Sequence, residues 1–140
     1  MKKAELLAEQ ARLYALANDL ARKHWGVDYT GTLVLVNYEW RRYNGKFRYK
    51  RNRNDKSLQE IRMSAITNAG RTPEKVKGTL LHELVHWRLY TLGLPSSDED
   101  FEFIAECLRV GAPISKAKAA QEAYKRFMQM RAFKKYEEAA

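Results

Sequence analysis

One cysteine, Cys107, occurs in 140 residues, so no disulfide can form within the chain and a four-cysteine zinc ribbon is excluded. No run of about 18 apolar residues exists, so no segment reads as a membrane-spanning helix. The opening MKKAELLAEQ follows its two lysines with acidic and polar residues, which is not a secretory pattern, and a cytoplasmic location is expected. No repeat or low-complexity tract appears. Acids are scarce, 17 against 26 lysines and arginines, which leaves a net charge of +9. With 45% hydrophobic and 31% charged residues, the composition is that of an ordinary globular protein rather than a disordered one. The length suits a single domain, 1–140, with a modest core.

Histidines are also few, but two of the three stand four residues apart in Leu81-His82-Glu83-Leu84-Val85-His86-Trp87. Residues i and i+4 share one helix face, so His82 and His86 can aim two imidazoles at one ion. Glu83, beside them, is placed to act as a general base toward water without being a ligand. This H-E-x-x-H pattern is the metal-binding helix of zinc peptidases. It is short, and a helix that merely carries two histidines is the bland alternative. Its context favours the functional reading: Thr72 and Pro73 supply a helix start, and Gly93 and Pro95 a stop.

Along the rest of the chain, Ala4 to about Lys23 reads as a helix with Leu6, Leu7, Leu13, Tyr14, Leu16, Ala17, Leu20 and Ala21 as its apolar stripe. Thr32 to Tyr38 reads as a strand, apolar enough to be covered on both faces. Asn44-Gly45 signals a tight turn, which predicts a hairpin between the stretch ending near Trp40 and Lys46 to Lys50. Glu60 to Ile66 is expected as a third strand, with Ile61, Met63 and Ala65 on one face. The metal helix follows from Pro73 to about Leu92, then a helix from about Asp98 to Arg109 closed by Gly111 and Pro113. A last helix, 115–138, reads as an amphipathic cover.

The cations concentrate between Arg41 and Lys56. Arg41, Arg42, Lys46, Arg48, Lys50, Arg51, Arg53 and Lys56 face a single acid, Asp55, with Tyr43, Phe47 and Tyr49 interleaved. Such a strip can follow phosphates and stack bases, which makes DNA an expected partner. The alternation of Phe47 and Tyr49 with Lys46, Arg48 and Lys50 equally describes a strand with an aromatic inner face and a solvated basic outer one.

The aliphatic strand Leu33 to Val36, the hairpin expected through Gly45, the strand Ile61-Arg62-Met63-Ser64, the run Val76 to Trp87 and the segment Phe103-Ile104-Ala105-Glu106-Cys107-Leu108 together resemble the SprT-like, or Spartan-type, metalloprotease domain. The resemblance covers roughly residues 6–111. It implies an α+β, zincin-like fold: an N-terminal helix, a three-stranded mainly antiparallel sheet, the H-E-x-x-H helix, a second helix and a C-terminal helix. It also implies a zinc-dependent protease; members with known roles cleave proteins crosslinked to DNA. Two family features are missing here, the third histidine ligand after the motif and a zinc ribbon behind the protease domain.

Catalytic zinc sites use three protein ligands and one open position. His24, beside Trp25 at the end of the first helix, reads as a surface or cap residue. Aligning Phe103 with the aromatic that follows the third ligand in SprT-like sequences puts Asp98 where the histidine stands. A carboxylate is a competent substitute. Ser96-Ser97-Asp98-Glu99 also reads as a capping box, in which Asp98 would only help a helix begin. Glu102 and Glu106 are the other candidates, or the third ligand is absent. An anion in place of a neutral histidine lowers the formal charge of the site from about +2 to about +1, which predicts a slower or more alkaline enzyme.

The expected activity is hydrolysis of peptide bonds, with Glu83 as base, the third strand as the edge that receives substrate, and Arg62, Asn37 or Tyr38 near the oxyanion. A nucleic-acid-binding module with structural or lost metal, and a degenerate peptidase fold acting as a scaffold, are the alternatives. Neither needs a glutamate adjacent to the first ligand.

Overall fold

The computed structural model describes residues 1–139, an α+β arrangement of five helices and a three-stranded mixed sheet. Helix α1 (Lys3–Trp25) buries Leu13, Ala17, Leu20 and Ala21. That stripe is narrower than the sequence suggested, since Leu7 and Tyr14 are exposed. Gly26 ends the helix in the left-handed region, φ 67°, and its N–H reaches the carbonyl of Arg22.

Strands β1 (Thr32–Val36), β2 (Gly45–Tyr49) and β3 (Gln59–Ser64) lie in the order β1-β3-β2. β1 pairs with β3 in parallel and β2 pairs with β3 antiparallel. The expected hairpin between the first two strands is therefore absent, and the sheet is mixed rather than mainly antiparallel. Residues 37–44 instead cross the end of β3. Polar side chains at and just after the end of β3 hold that crossing: Ser64 Oγ donates to the Tyr38 carbonyl, Thr67 Oγ1 accepts from Trp40 N–H at 2.7 Å, and Asn68 Nδ2 donates to the Asn44 carbonyl at 3.0 Å. Thr67 and Asn68 belong to a short helix, α2 (Ala65–Asn68), capped by Ser64, which ends the third strand two residues earlier than expected and removes Ala65 from its face.

The strand positions also differ from expectation. β3 is central, so it offers no edge. On the outer side of β1, Leu35 N–H donates to Gln10 Oε1 of α1 at 3.0 Å, whereas the outer edge of β2 has no hydrogen-bond partner among the described residues.

Helix α3 (Pro73–Thr91) begins as the sequence requires, with Thr72 accepting from Lys75 N–H and Pro73 in the first turn. It packs Leu80, Leu81, Leu84, Val85, Trp87 and Leu89 into one core with Leu33, Leu35, Ile61 and Met63 of the sheet and with α1. Helix α4 (Phe101–Val110) starts after Asp100, not near Asp98, and closes on Gly111 at φ 81°. Helix α5 (Lys118–Ala139) buries only Ala120 and Ala123; Met130, Phe133 and Tyr136 are exposed, so the cover is confined to its first turns. No described helix is long and apolar enough to cross a membrane.

Candidate metal centre

His82 and His86 project from consecutive turns of α3, with ring centroids 5.0 Å apart. Each Nδ1 is committed to a backbone carbonyl, His82 to Pro113 at 2.6 Å and His86 to Ser96 at 2.5 Å. A carbonyl can only accept, so both Nδ1 atoms carry protons and each Nε2 is left to face a third group. That group is Asp98: its Oδ1 lies 2.9 Å from His82 Nε2 and 3.2 Å from His86 Nε2. The three ligand atoms lie within 4.8 Å of one another. Bonds of about 2.0–2.1 Å to a tetrahedral ion would separate ligand atoms by about 3.3 Å, so Asp98 needs only a small adjustment relative to each imidazole. Two imidazole nitrogens and a carboxylate oxygen, with carbonyls behind both rings, can hold a divalent metal ion.

Packing fixes the rings as well. Phe103, fully buried on α4, stacks on His86 at 4.1 Å and 20° and meets His82 edge-on at 5.1 Å. The side chain of Asp98 is 40% exposed against 12% and 15% for the two histidines, so the group opens to solvent on the aspartate side. The loop start of α4 explains how Asp98 gets there. With the helix beginning at Phe101, Asp98 lies outside it, and Asp100, not Asp98, accepts from Ser97 N–H at 2.9 Å. The expected capping box, with Ser96 as cap, does not form.

Charge follows the geometry. Burial works against the His82 cation, but its bonds to Asp98, Cys107 and the Pro113 carbonyl, together with the charge of Glu83, push its pKa up to about 11. Burial also opposes the charge on Asp98; the two imidazoles outweigh it and hold the carboxyl well below the usual carboxylate range. Glu83 moves the other way, pushed up by burial despite the nearby histidines. It is 6% exposed, and its neighbour across the fold is Gly45 at the start of β2: a Cβ there would lie 2.9 Å from Thr79 Cγ2 and 3.3 Å from Glu83 Cγ.

The other candidates lie elsewhere. Glu106 accepts from Trp25 Nε1 at 2.8 Å and from Arg109 Nη2 at 3.0 Å, and Glu102 is exposed on α4. His24 sits in the last turn of α1, outside the group. Arg62 alternates with core residues Ile61 and Met63, so it points to the opposite sheet face, where it pairs with Glu60 at 3.1 Å. Asn37 Nδ2 donates to the Met1 carbonyl and Tyr38 is exposed; neither is drawn to the metal group.

The basic strip is divided by the fold. Arg48 pairs with Glu60 and Lys50 with Asp55, Lys46 lies 5.2 Å from both the Trp40 and Tyr43 rings, and Arg53 and Lys56 bond to α3 and the loop after it. Arg41, Arg42 and Arg51 are exposed and have no ion-pair partner among the described residues. Phe47 and Tyr49 pack on Tyr90 of α3, as the inner face of the strand reading requires.

Sequence reasoning did not find Phe103 as a brace for both imidazoles, nor the carbonyls of Ser96 and Pro113. Any residue supplies a carbonyl, so no residue type could have signalled those two. No family model, curated protein or solved structure matches this chain.

Proposed function

We propose that this chain is a zinc-dependent endopeptidase of the SprT-like, zincin-like kind, with His82, His86 and Asp98 as ligands and Glu83 as general base. The observation that carries the reading is the convergence of both Nε2 atoms on Asp98 Oδ1 while both Nδ1 atoms are held by carbonyls. A helix with incidental histidines has no reason to orient four ring nitrogens in this way. Zinc bound there supplies Lewis acidity to water and to the scissile carbonyl.

The chain's own residues do the rest. Glu83 takes a proton from the attacking water and returns it to the leaving amine as the C–N bond breaks; a carboxyl raised by burial is better matched to both transfers than an exposed one. The open edge of β2 can receive an extended polypeptide through main-chain hydrogen bonds. With no side chain, Gly45 lets the start of that strand lie close to Glu83, so a chain laid along its edge runs near the base. Zinc content and cleavage of an unfolded protein should be measured for Glu83→Gln and for His82→Ala. The first should keep the metal and lose hydrolysis, and the second should lose both; full activity of Glu83→Gln would remove the peptidase reading.

A second activity has its own support. Arg41 and Arg42 sit on the crossing segment 37–44 with Tyr38 and Tyr43 more than half exposed, at 55% and 52%. Cations beside half-exposed aromatic rings suit DNA backbone and bases, and we propose this segment, with Arg51, as the DNA-contacting part of the strip.

A further inference from the structure

The loop that carries Asp98 has little to hold it. Between the end of α3 and the start of α4, the bonds Gly93 N–H to Tyr90, Leu94 N–H to Leu89 and Asp100 N–H to Ser97 are all local. They shape the two ends of the loop and do not tie Pro95 to Asp98 to another element. Beyond its contacts with the two histidines, the one long-range anchor of this stretch among the described residues is Arg53, whose Nη2 donates to the Leu94 carbonyl at 3.0 Å and to Ser96 Oγ at 3.2 Å.

Arg53 is itself held. Its guanidinium lies 5.4 Å from the Tyr90 ring and 6.0 Å from the Tyr49 ring. Lys56 Nζ donates to the Tyr90 carbonyl at 2.8 Å and sits 4.2 Å from its ring, and Tyr90 OH donates to the Asp55 carbonyl at 3.1 Å. The segment between β2 and β3 is thus fastened to the end of α3, and Arg53 reaches from it to the residues just before Asp98. Ser96, 5% exposed, receives both clamps: Arg53 on its hydroxyl, His86 on its carbonyl.

We infer that Arg53 is a positioning residue for the metal centre: it sets the path of the loop so that Asp98 meets His82 and His86. The inference rests on the reading of His82, His86 and Asp98 as metal ligands. One nitrogen of the guanidinium, Nη2, serves both acceptors while the delocalised cation lies over the Tyr90 and Tyr49 rings, a combination that a compact, strongly hydrated ammonium matches less well. Groups behind a ligand typically matter by about 10–100-fold in metal affinity.

The test is a double-mutant cycle read by zinc competition against a chelating dye and by the visible spectrum of the cobalt(II) form. Arg53→Gln should weaken zinc about 10-fold or more and reduce the intensity of the cobalt bands as the aspartate ligand loosens. Arg53→Lys should recover part of that loss. In an Asp98→Ala background, Arg53→Gln should cost clearly less than in the wild type, because one of the two groups it positions is gone and only His86, held through the Ser96 carbonyl, remains. If Arg53→Gln misfolds, Ser96→Ala removes only the hydroxyl acceptor and should give a smaller loss of the same kind. A wild-type affinity in folded Arg53→Gln, or an equal loss with and without Asp98, would overturn the inference. Should Asp98→Ala itself leave zinc affinity unchanged, the metal reading fails instead, and the two failures are distinct.

Discussion

Gly45 and Glu83 stand on different elements 38 positions apart, yet they approach so closely that a Cβ on Gly45 would lie 3.3 Å from Glu83 Cγ. The same Cβ would meet Thr79 Cγ2 at 2.9 Å, closer than packed atoms allow. Gly45→Ala should therefore push β2 away from α3, at a cost of about 1–3 kcal/mol in denaturant unfolding. Hydrolysis should fall by a larger factor than zinc affinity does, since the displaced groups adjoin Glu83, the proposed base, and not the proposed ligands. Wild-type stability and activity in this variant would mean that the close approach has no consequence.

Asp98 separates a ligand from a helix-start residue. As a ligand, Asp98→Ala should lower zinc affinity by orders of magnitude, Asp98→Asn by less, and Asp98→His should restore a high-affinity three-histidine site. A residue that only helps α4 begin would cost no more than about 1 kcal/mol of stability on substitution by alanine and would leave zinc untouched. Competition titration and thermal unfolding of the three variants distinguish the cases.

Metal binding should release a proton. In the metal-free protein His82 has an acceptor at each nitrogen, and its pKa is raised from 6.5 to about 11. The stability it contributes is fully present below its unfolded value near 6.5 and is lost as pH rises through about 11. Near neutral pH a metal must displace that proton, so zinc affinity should rise about tenfold per pH unit from 7 to 8, with about one proton released. Calorimetry in buffers of different ionisation enthalpy counts the proton; a count of zero in this range would show that His82 is neutral before the metal arrives.

DNA binding, if it uses the crossing segment, should depend on Arg41, Arg42 and Arg51. Their replacement by glutamate should weaken binding and reduce the steepness of its salt dependence by about one per residue. The same change at Lys118, Lys125, Lys134 and Lys135 of α5 should have much less effect. Equal losses from both sets would mean that only overall charge matters.

Local features were legible before any coordinates. The start of α3 at Thr72 and Pro73, its end before Gly93, and the common face of His82 and His86 follow from caps and helical spacing, which involve groups within a few residues of each other. The core face of β3, Ile61 and Met63, follows from alternation in the same way. Asn44-Gly45 does not make the hairpin turn its sequence signals because a glycine has two uses: here it is required by the close approach of β2 to α3.

The sequence by itself determined an α+β chain with two imidazoles and a carboxylate presented on one helix, because these depend on short-range geometry. Only the tertiary structure decided which strand stands at the open edge, since strand pairing draws on partners distant in sequence. The place of Asp98 was open for the same reason: an acid near a helix start can cap that helix or turn to another element, and the position of α3 brings it to the two imidazoles. The basic strip needed the fold most of all. A guanidinium reads as free charge until its partner is known, and the partners of Arg53, Leu94 and Ser96, lie about 40 residues away on a loop that only packing brings within hydrogen-bond reach.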